Sequence, residues 1–100
     1  MELSPSAAQV QDLVDANRIL AHQGILDAFG HVSVRHDRQA DRFLLARNIA
    51  PAQARAEDIM TFDLNGEPVQ PDGKRVYLER FIHSAIYQAR PEVVAIVHSH

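Results

Sequence analysis

The stretch that most constrains this chain is Val93-Val94-Ala95-Ile96-Val97-His98-Ser99-His100. Residues 93–97 are apolar at every position, so a strand built from them has two faces to hide and belongs inside a sheet. The apolar run stops at His-x-His. Strand residues two apart point to one face, about 6.8 Å apart along the chain. His98 and His100 therefore converge on one point, and Ser99 faces away. Two imidazoles converging at the carboxyl end of a buried strand are the beginning of a metal site. The simpler alternative is a hydrogen-bonded rim histidine followed by a frayed one. Further donors would decide between the two.

The preceding residues supply a layered context. Ser4-Pro5-Ser6 reads as a helix start. Over residues 7–23 the apolar positions Val10, Leu13, Val14, Leu20 and Ala21 make a helical stripe. Asn17 lies within that stripe and needs partners, expected from backbone of the next segment. Gly24 is the expected stop. In Gly30-His31-Val32-Ser33-Val34-Arg35-His36 the period is two. Val32 and Val34 face one way, and His31, Ser33 and Arg35 the other. Residues 42–47 read as the returning antiparallel strand and residues 59–63 as a third. Asn65-Gly66 marks a hairpin, with Val69 on the return arm. Residues 78–88 read as a second helix whose apolar face is Phe81, Ile82, Ala85 and Ile86. Arg90-Pro91 ends it. Helix, strands, helix, strand predicts an α/β fold: a layered α/β/α domain with a mixed, mainly antiparallel sheet.

Composition narrows the chemistry. The chain has 100 residues, no cysteine and a net charge of −3. A cysteine-free chain has no thiolate zinc site, so any metal is held by His, Asp or Glu. The balance of charge gives no basic footprint for nucleic acid or an anionic membrane. No stretch approaches the ~18 apolar residues of a spanning helix. The N-terminus lacks the basic and apolar regions of a signal peptide. The default expectation is a cytoplasmic protein with a small-molecule substrate.

A carboxylate for the histidine pair is at hand in Glu79, which opens the second helix. A helix packed antiparallel on the final strand brings its beginning near that strand's end. Glu79 and the histidines then meet across the intervening sequence. The plainer role for Glu79 is an acidic group favoured by the helix dipole. His83, four residues on, shares its face and reads as a packed group that orients a ligand.

Several segments together resemble the class II aldolase/adducin family. They are Asn17-Arg18-Ile19-Leu20, Gly30-His31-Val32-Ser33-Val34-Arg35 and Asp63-Leu64-Asn65-Gly66, followed by residues 79–87 and 90–100. The resemblance covers nearly the whole chain from about Ala7. It implies that His98 and His100 are two of three histidines holding a divalent zinc, with Mn2+ a possible substitute. It implies that Glu79 is the acid/base and binds the metal when no substrate is present. The third histidine of the family lies roughly sixty residues further on. Residues 1–100 are thus expected to be the N-terminal portion of a single domain truncated at His100, inactive and poorly stable alone. The resemblance also implies a homotetramer with sites between subunits. Its chemistry is C–C bond cleavage, by retro-aldol reaction or decarboxylation. The ion polarises a chelated hydroxy-carbonyl group, and Glu79 transfers the proton.

Departures from the family pattern narrow the substrate. Phosphate-sugar members cradle phosphate with small polar residues and glycine. The matching positions here are His31, the Leu45-Ala46-Arg47 stretch and Tyr77-Leu78. A small anion nest is lost at the last two, and Arg47 is suited to pair bidentately with a carboxylate. The expected substrate is a non-phosphorylated hydroxy or keto carboxylic acid, bound with help from His31, Ser33, Arg47 and Tyr77. The competing expectations are a sugar-phosphate aldolase or epimerase, and a non-catalytic adducin-like interaction domain. The second has no need of Glu79, His98 and His100. Of the other polar groups, His22 reads as a helix-end cation and His36 as solvated. Tyr87 reads as core with its hydroxyl at the rim, and Arg35 as a surface charge.

Overall fold

The computed structural model describes residues 2–99. The first helix, α1, spans Ala7–His22, and the Ser6 hydroxyl caps it by accepting from the Gln9 N–H at 3.1 Å. Such a cap satisfies one of the four orphan donors of a helix start. Leu13 and Val14 are buried, as the stripe requires. Asn17 is buried too, but its partner lies within the helix. Its Nδ2 donates to the Leu13 carbonyl at 2.8 Å, so the next segment is not needed to satisfy it.

The strands are β1 (His31–Arg35), β2 (Arg42–Ala46), β3 (Ile59–Asp63) and β4 (Ala95–His98). Two short 3-10 turns, Pro51–Gln53 and Ala56–Asp58, lead from β2 into β3. The second helix, α2, spans Arg80–Ala89. The sheet order is β3-β2-β1-β4, and all three pairings are antiparallel. Alternation along each strand sorts the core into two layers. Val32 and Leu44 join Leu13 and Leu26 under α1. Phe43, Leu45, Met60 and Phe62 join Tyr77 and Tyr87 on the α2 side. The α/β/α layering expected from the sequence is present.

Among the described residues β4 is the edge strand of the sheet, paired on one side with β1. Ile96 packs on the α2-side core, whereas Val94 and Val97 are 65% and 49% exposed. Among the described residues nothing covers that second face, because α1 packs over β1 and its neighbours. The inward face of α2 is not the expected one. His83, Ser84 and Tyr87 are buried, whereas Phe81 and Ile82 are 46% and 39% exposed. The reason lies opposite, in β1. That strand presents His31 and Ser33 to the helix, so the polar stripe of α2 finds its partners inward.

The Asn65-Gly66 turn forms as expected, with Gly66 at φ 83°. The Asp63 carboxylate accepts from the N–H groups of Asn65 and Glu67. The return arm touches β3 at the Phe62–Pro68 bridge and through Val69 N–H to Thr61 O at 2.9 Å. Gly66 lies under α2, where a Cβ would stand 2.7 Å from the Phe81 ring. Arg80 Nε donates to the Gly66 carbonyl at 2.6 Å. The turn and the start of α2 are thereby fixed to each other.

Candidate metal and acid/base site

Register builds the site. In the β1–β4 ladder His31 stands directly opposite His98. Opposed residues of an antiparallel pair share a face, so the two imidazoles stack with centroids 4.7 Å apart and planes 8° from parallel. Close strand approach here depends on Gly30. A Cβ at that position would lie 2.7 Å from Leu26 Cδ2 and 3.2 Å from the His98 carbonyl oxygen. The Asp27 carboxylate sets the entry to β1, accepting from the N–H groups of Phe29 and Gly30 at 2.8 and 3.1 Å.

Glu79 is the residue before α2, and its side chain does not cap the helix. It reaches the histidines instead. Glu79 Oε1 lies 3.3 Å from His31 Nε2, and Oε2 lies 3.4 Å from His98 Nε2. Across the group, the candidate ligand atoms of His31, Glu79 and His98 fall within 4.8 Å of one another. Two ligands of a tetrahedral ion at about 2.0–2.1 Å lie about 3.3–3.4 Å apart. The Glu79–His98 spacing therefore fits a zinc-sized cation. His100 lies outside the described residues.

Behind His31 runs a buried polar chain. His31 Nδ1 is 2.6 Å from His83 Nε2, and His83 Nδ1 is 2.5 Å from Ser33 Oγ. Ser33 Oγ is in turn 2.8 Å from the Tyr87 hydroxyl. His31, Ser33, His83 and Tyr87 are all fully buried. Burial, reinforced by the charges His31 and His98 can carry, lowers the His83 pKa to about 3. Burial also pushes the Tyr87 phenol up to about 12 against the opposing Ser33 bond and Arg35 charge. Both groups are therefore neutral at ordinary pH.

The other expected substrate contacts divide. The Tyr77 ring packs at 4.9 Å from that of His31, while its hydroxyl donates to the Ile49 carbonyl. Burial raises the Tyr77 pKa despite that bond. Ser33 is not at the open surface, since its hydroxyl is taken up between His83 and Tyr87. Arg47 is not brought to the group. Its Nε pairs with Asp58 Oδ1 at 2.6 Å, and it lines a separate depression with Arg18 and Arg55. A buried carboxylate within the same chain outcompetes a distant one. The cleft that does adjoin Glu79 has a volume of about 370 Å³ and is lined by Phe29, Asn48, Val76, Tyr77 and Leu78, among others.

Two features escaped sequence reasoning. His36 is buried rather than solvated. Its Nδ1 accepts from the N–H groups of Arg38 and Gln39, so Nε2 donates to the Leu3 carbonyl. Arg35 is no free surface charge, since it donates to the carbonyls of Val93, Ala40, Tyr87 and Arg90. One guanidinium thus joins the end of α2 and the approach to β4 onto β1. The available signal was periodicity: polar residues at 31, 33 and 35 of one strand face, matched by polar residues at 83 and 87 of one helix face.

The model of the class II aldolase and adducin N-terminal domain matches residues 11–100. The chain belongs to the class II aldolase and adducin family. Relatives of this family member include decarboxylase tropJ of Talaromyces stipitatus, 39% identical over 96% of the chain and 37% of the relative. A methylthioribulose-1-phosphate dehydratase of Marinobacter nauticus is 34% identical over 94% of the chain and 45% of the relative. A 3,4-dihydroxyphthalate decarboxylase of Arthrobacter keyseri is 33% identical over 85% and 37%. Among solved structures, an L-fuculose 1-phosphate aldolase from Glaciozyma antarctica superposes with a TM-score of 0.78 at 31% identity. It covers 98% of this chain and 45% of that one. The chain thus spans less than half the length of these relatives. No helix among the described residues is long and apolar enough to cross a membrane.

Proposed function

We propose that the intact protein is a divalent-cation-dependent lyase that decarboxylates a small hydroxylated aromatic or keto carboxylic acid. Residues 1–100 would form the N-terminal portion of its single catalytic domain. The observation that carries the reading is the Glu79 carboxylate, held 3.3 and 3.4 Å from two histidines of adjacent strands. His98 would hold the cation together with His100, and Glu79 would join them when no substrate is bound. When bound, a cation there supplies Lewis-acid polarisation of a substrate oxygen.

Glu79 provides the proton. When the C–C bond breaks, its electron pair stays on the substrate carbon and carbon dioxide departs. The protonated Glu79 carboxyl gives its proton to that carbon and recovers one from water. A positioned acid of this kind contributes about 10²–10⁴-fold. The neighbouring cleft suits an aromatic or other flat substrate, because Phe29, Val76, Tyr77 and Leu78 line it. The two decarboxylases among the relatives support the same choice of reaction. A homo-oligomer, a tetramer on the family resemblance, belongs to this proposal, supported by the exposed apolar side chains of α2 and β4.

The test is a substrate panel offered to the intact, zinc-loaded protein. Hydroxylated aromatic and keto acids should release carbon dioxide. Cleavage of phosphorylated ketoses at a much higher rate than any of these acids would overturn the substrate assignment.

A further inference from the structure

The buried chain behind the candidate site has a direction. Four contacts run in series: Tyr87 Oη to Ser33 Oγ, Ser33 Oγ to His83 Nδ1, His83 Nε2 to His31 Nδ1, and His31 Nε2 to Glu79 Oε1. Each contact needs one proton. Two neutral imidazoles and two hydroxyls carry four in all.

If the protons point toward Glu79, every contact is satisfied. Tyr87 donates to Ser33 and Ser33 donates to His83. His83 donates from Nε2 to His31, and His31 donates from Nε2 to the Glu79 carboxylate. If they point the other way, His83 donates to Ser33, and the Ser33 and Tyr87 hydroxyls have two protons for the one contact between them, so one proton has no acceptor. Neither hydroxyl has another hydrogen-bond partner among the described residues, and both residues are fully buried. A buried donor left without an acceptor is costly. The reversed chain also aims a lone pair of His31 at a carboxylate. Placing a second proton on either histidine leaves one of the two hydroxyl protons in the same position.

We infer that Tyr87, Ser33 and His83 fix the tautomer of His31, so that it presents an Nε2–H rather than a lone pair to the site. His83 is therefore a positioning residue acting through His31. The spacing of His31, Glu79 and His98 would admit a cation among all three, yet a ring that presents N–H is not a ligand for one. His31 takes an anionic oxygen instead, in this structure that of Glu79 at 3.3 Å. On the reading proposed above, a substrate carboxylate replaces Glu79 at that N–H, a role that Arg47 cannot fill while paired with Asp58.

The tautomers are observable without turnover. Long-range 1H–15N correlation spectra of the intact protein with 15N-labelled histidine should show His31 and His83 protonated on Nε2 and bare on Nδ1. Added zinc should bind His98 and leave the Nε2 proton of His31 in place. A His31 proton on Nδ1, or its loss from Nε2 on zinc binding, would overturn the inference. Ser33→Ala should let His83 and His31 populate both tautomers, whereas Ser33→Thr, which keeps the hydroxyl, should preserve them. Unchanged tautomers in a folded Ser33→Ala protein would refute the positioning role.

For the anion, 3,4-dihydroxybenzoate and catechol serve as probes. The acid should bind the zinc-loaded wild type about 10–100-fold more tightly, as expected for a hydrogen bond to a charged group. His31→Phe should erase that preference and His31→Asn, which keeps an N–H, should restore part of it. An unchanged preference in His31→Phe would refute the carboxylate contact. A protein that shows these tautomers and this preference but releases no carbon dioxide would overturn the lyase reading and leave the inference standing.

Discussion

Replacing Arg35 by Met should cost the domain measurable stability. Methionine keeps much of the apolar stem and removes the four bonds to Val93, Ala40, Tyr87 and Arg90, which measure 2.9, 2.6, 2.9 and 3.1 Å. The bonds to Ala40 and Arg90 are exposed, so those carbonyls rehydrate and lose little. The other two are part-buried and gain from the guanidinium charge. At about 0.5–1.5 kcal/mol for each of these two bonds, the loss sums to about 1–3 kcal/mol. The lost contacts include stacking on Tyr87, whose ring centroid lies 4.8 Å from the guanidinium carbon. Urea denaturation of the intact protein measures this, provided the slope with denaturant is unchanged. Arg35→Lys should recover less than half, because a point charge cannot serve four divergent acceptors. A loss below about 0.5 kcal/mol for Arg35→Met would show that the guanidinium is not what joins α2 and β4 to β1.

Further outcomes follow from the same geometry. Gly30→Ala drives a methyl group against Leu26 and the His98 carbonyl, and should cost about 1–3 kcal/mol. It should also weaken zinc binding by shifting His98, and calorimetric titration with zinc would show this. Asp58 carries a pH signature. Burial raises its pKa, but the bonds from Arg47 and the Arg55 N–H outweigh that, and the net shift is downward. A lowered carboxylate pKa contributes stability that is complete above about pH 4 and is lost as the pH falls through the folded value. Arg47→Met should therefore destabilise the protein at pH 7 and less at an acid pH below the folded value. An equal loss at both would show that the ion pair is not the source. The substrate rate should be little changed in Arg47→Met, since the residue lies apart from Glu79.

Much of this fold was legible because local signals agreed. The Ser6 cap, the Asn65-Gly66 turn and the alternation along β1 each reported local geometry, and each is where the sequence places it. The meeting of Glu79 with His98 followed from an antiparallel helix on a strand. What was not legible depended on partners. The run at 93–97 signals apolar faces but not what covers them. Phe81 and Ile82 form a good apolar face in isolation, yet α2 turns the other way because β1 offers His31 and Ser33. Arg47 was misplaced because Asp58, eleven residues on, captures it, and nothing in their spacing announces the pair.

The central claim is that Glu79 moves the proton while the histidines keep the cation. It is tested most directly by zinc content and carbon dioxide release in the intact Glu79→Gln protein. The account predicts zinc near the wild-type stoichiometry and turnover reduced by about 10²–10⁴-fold. Full turnover in Glu79→Gln, with zinc bound, would contradict it.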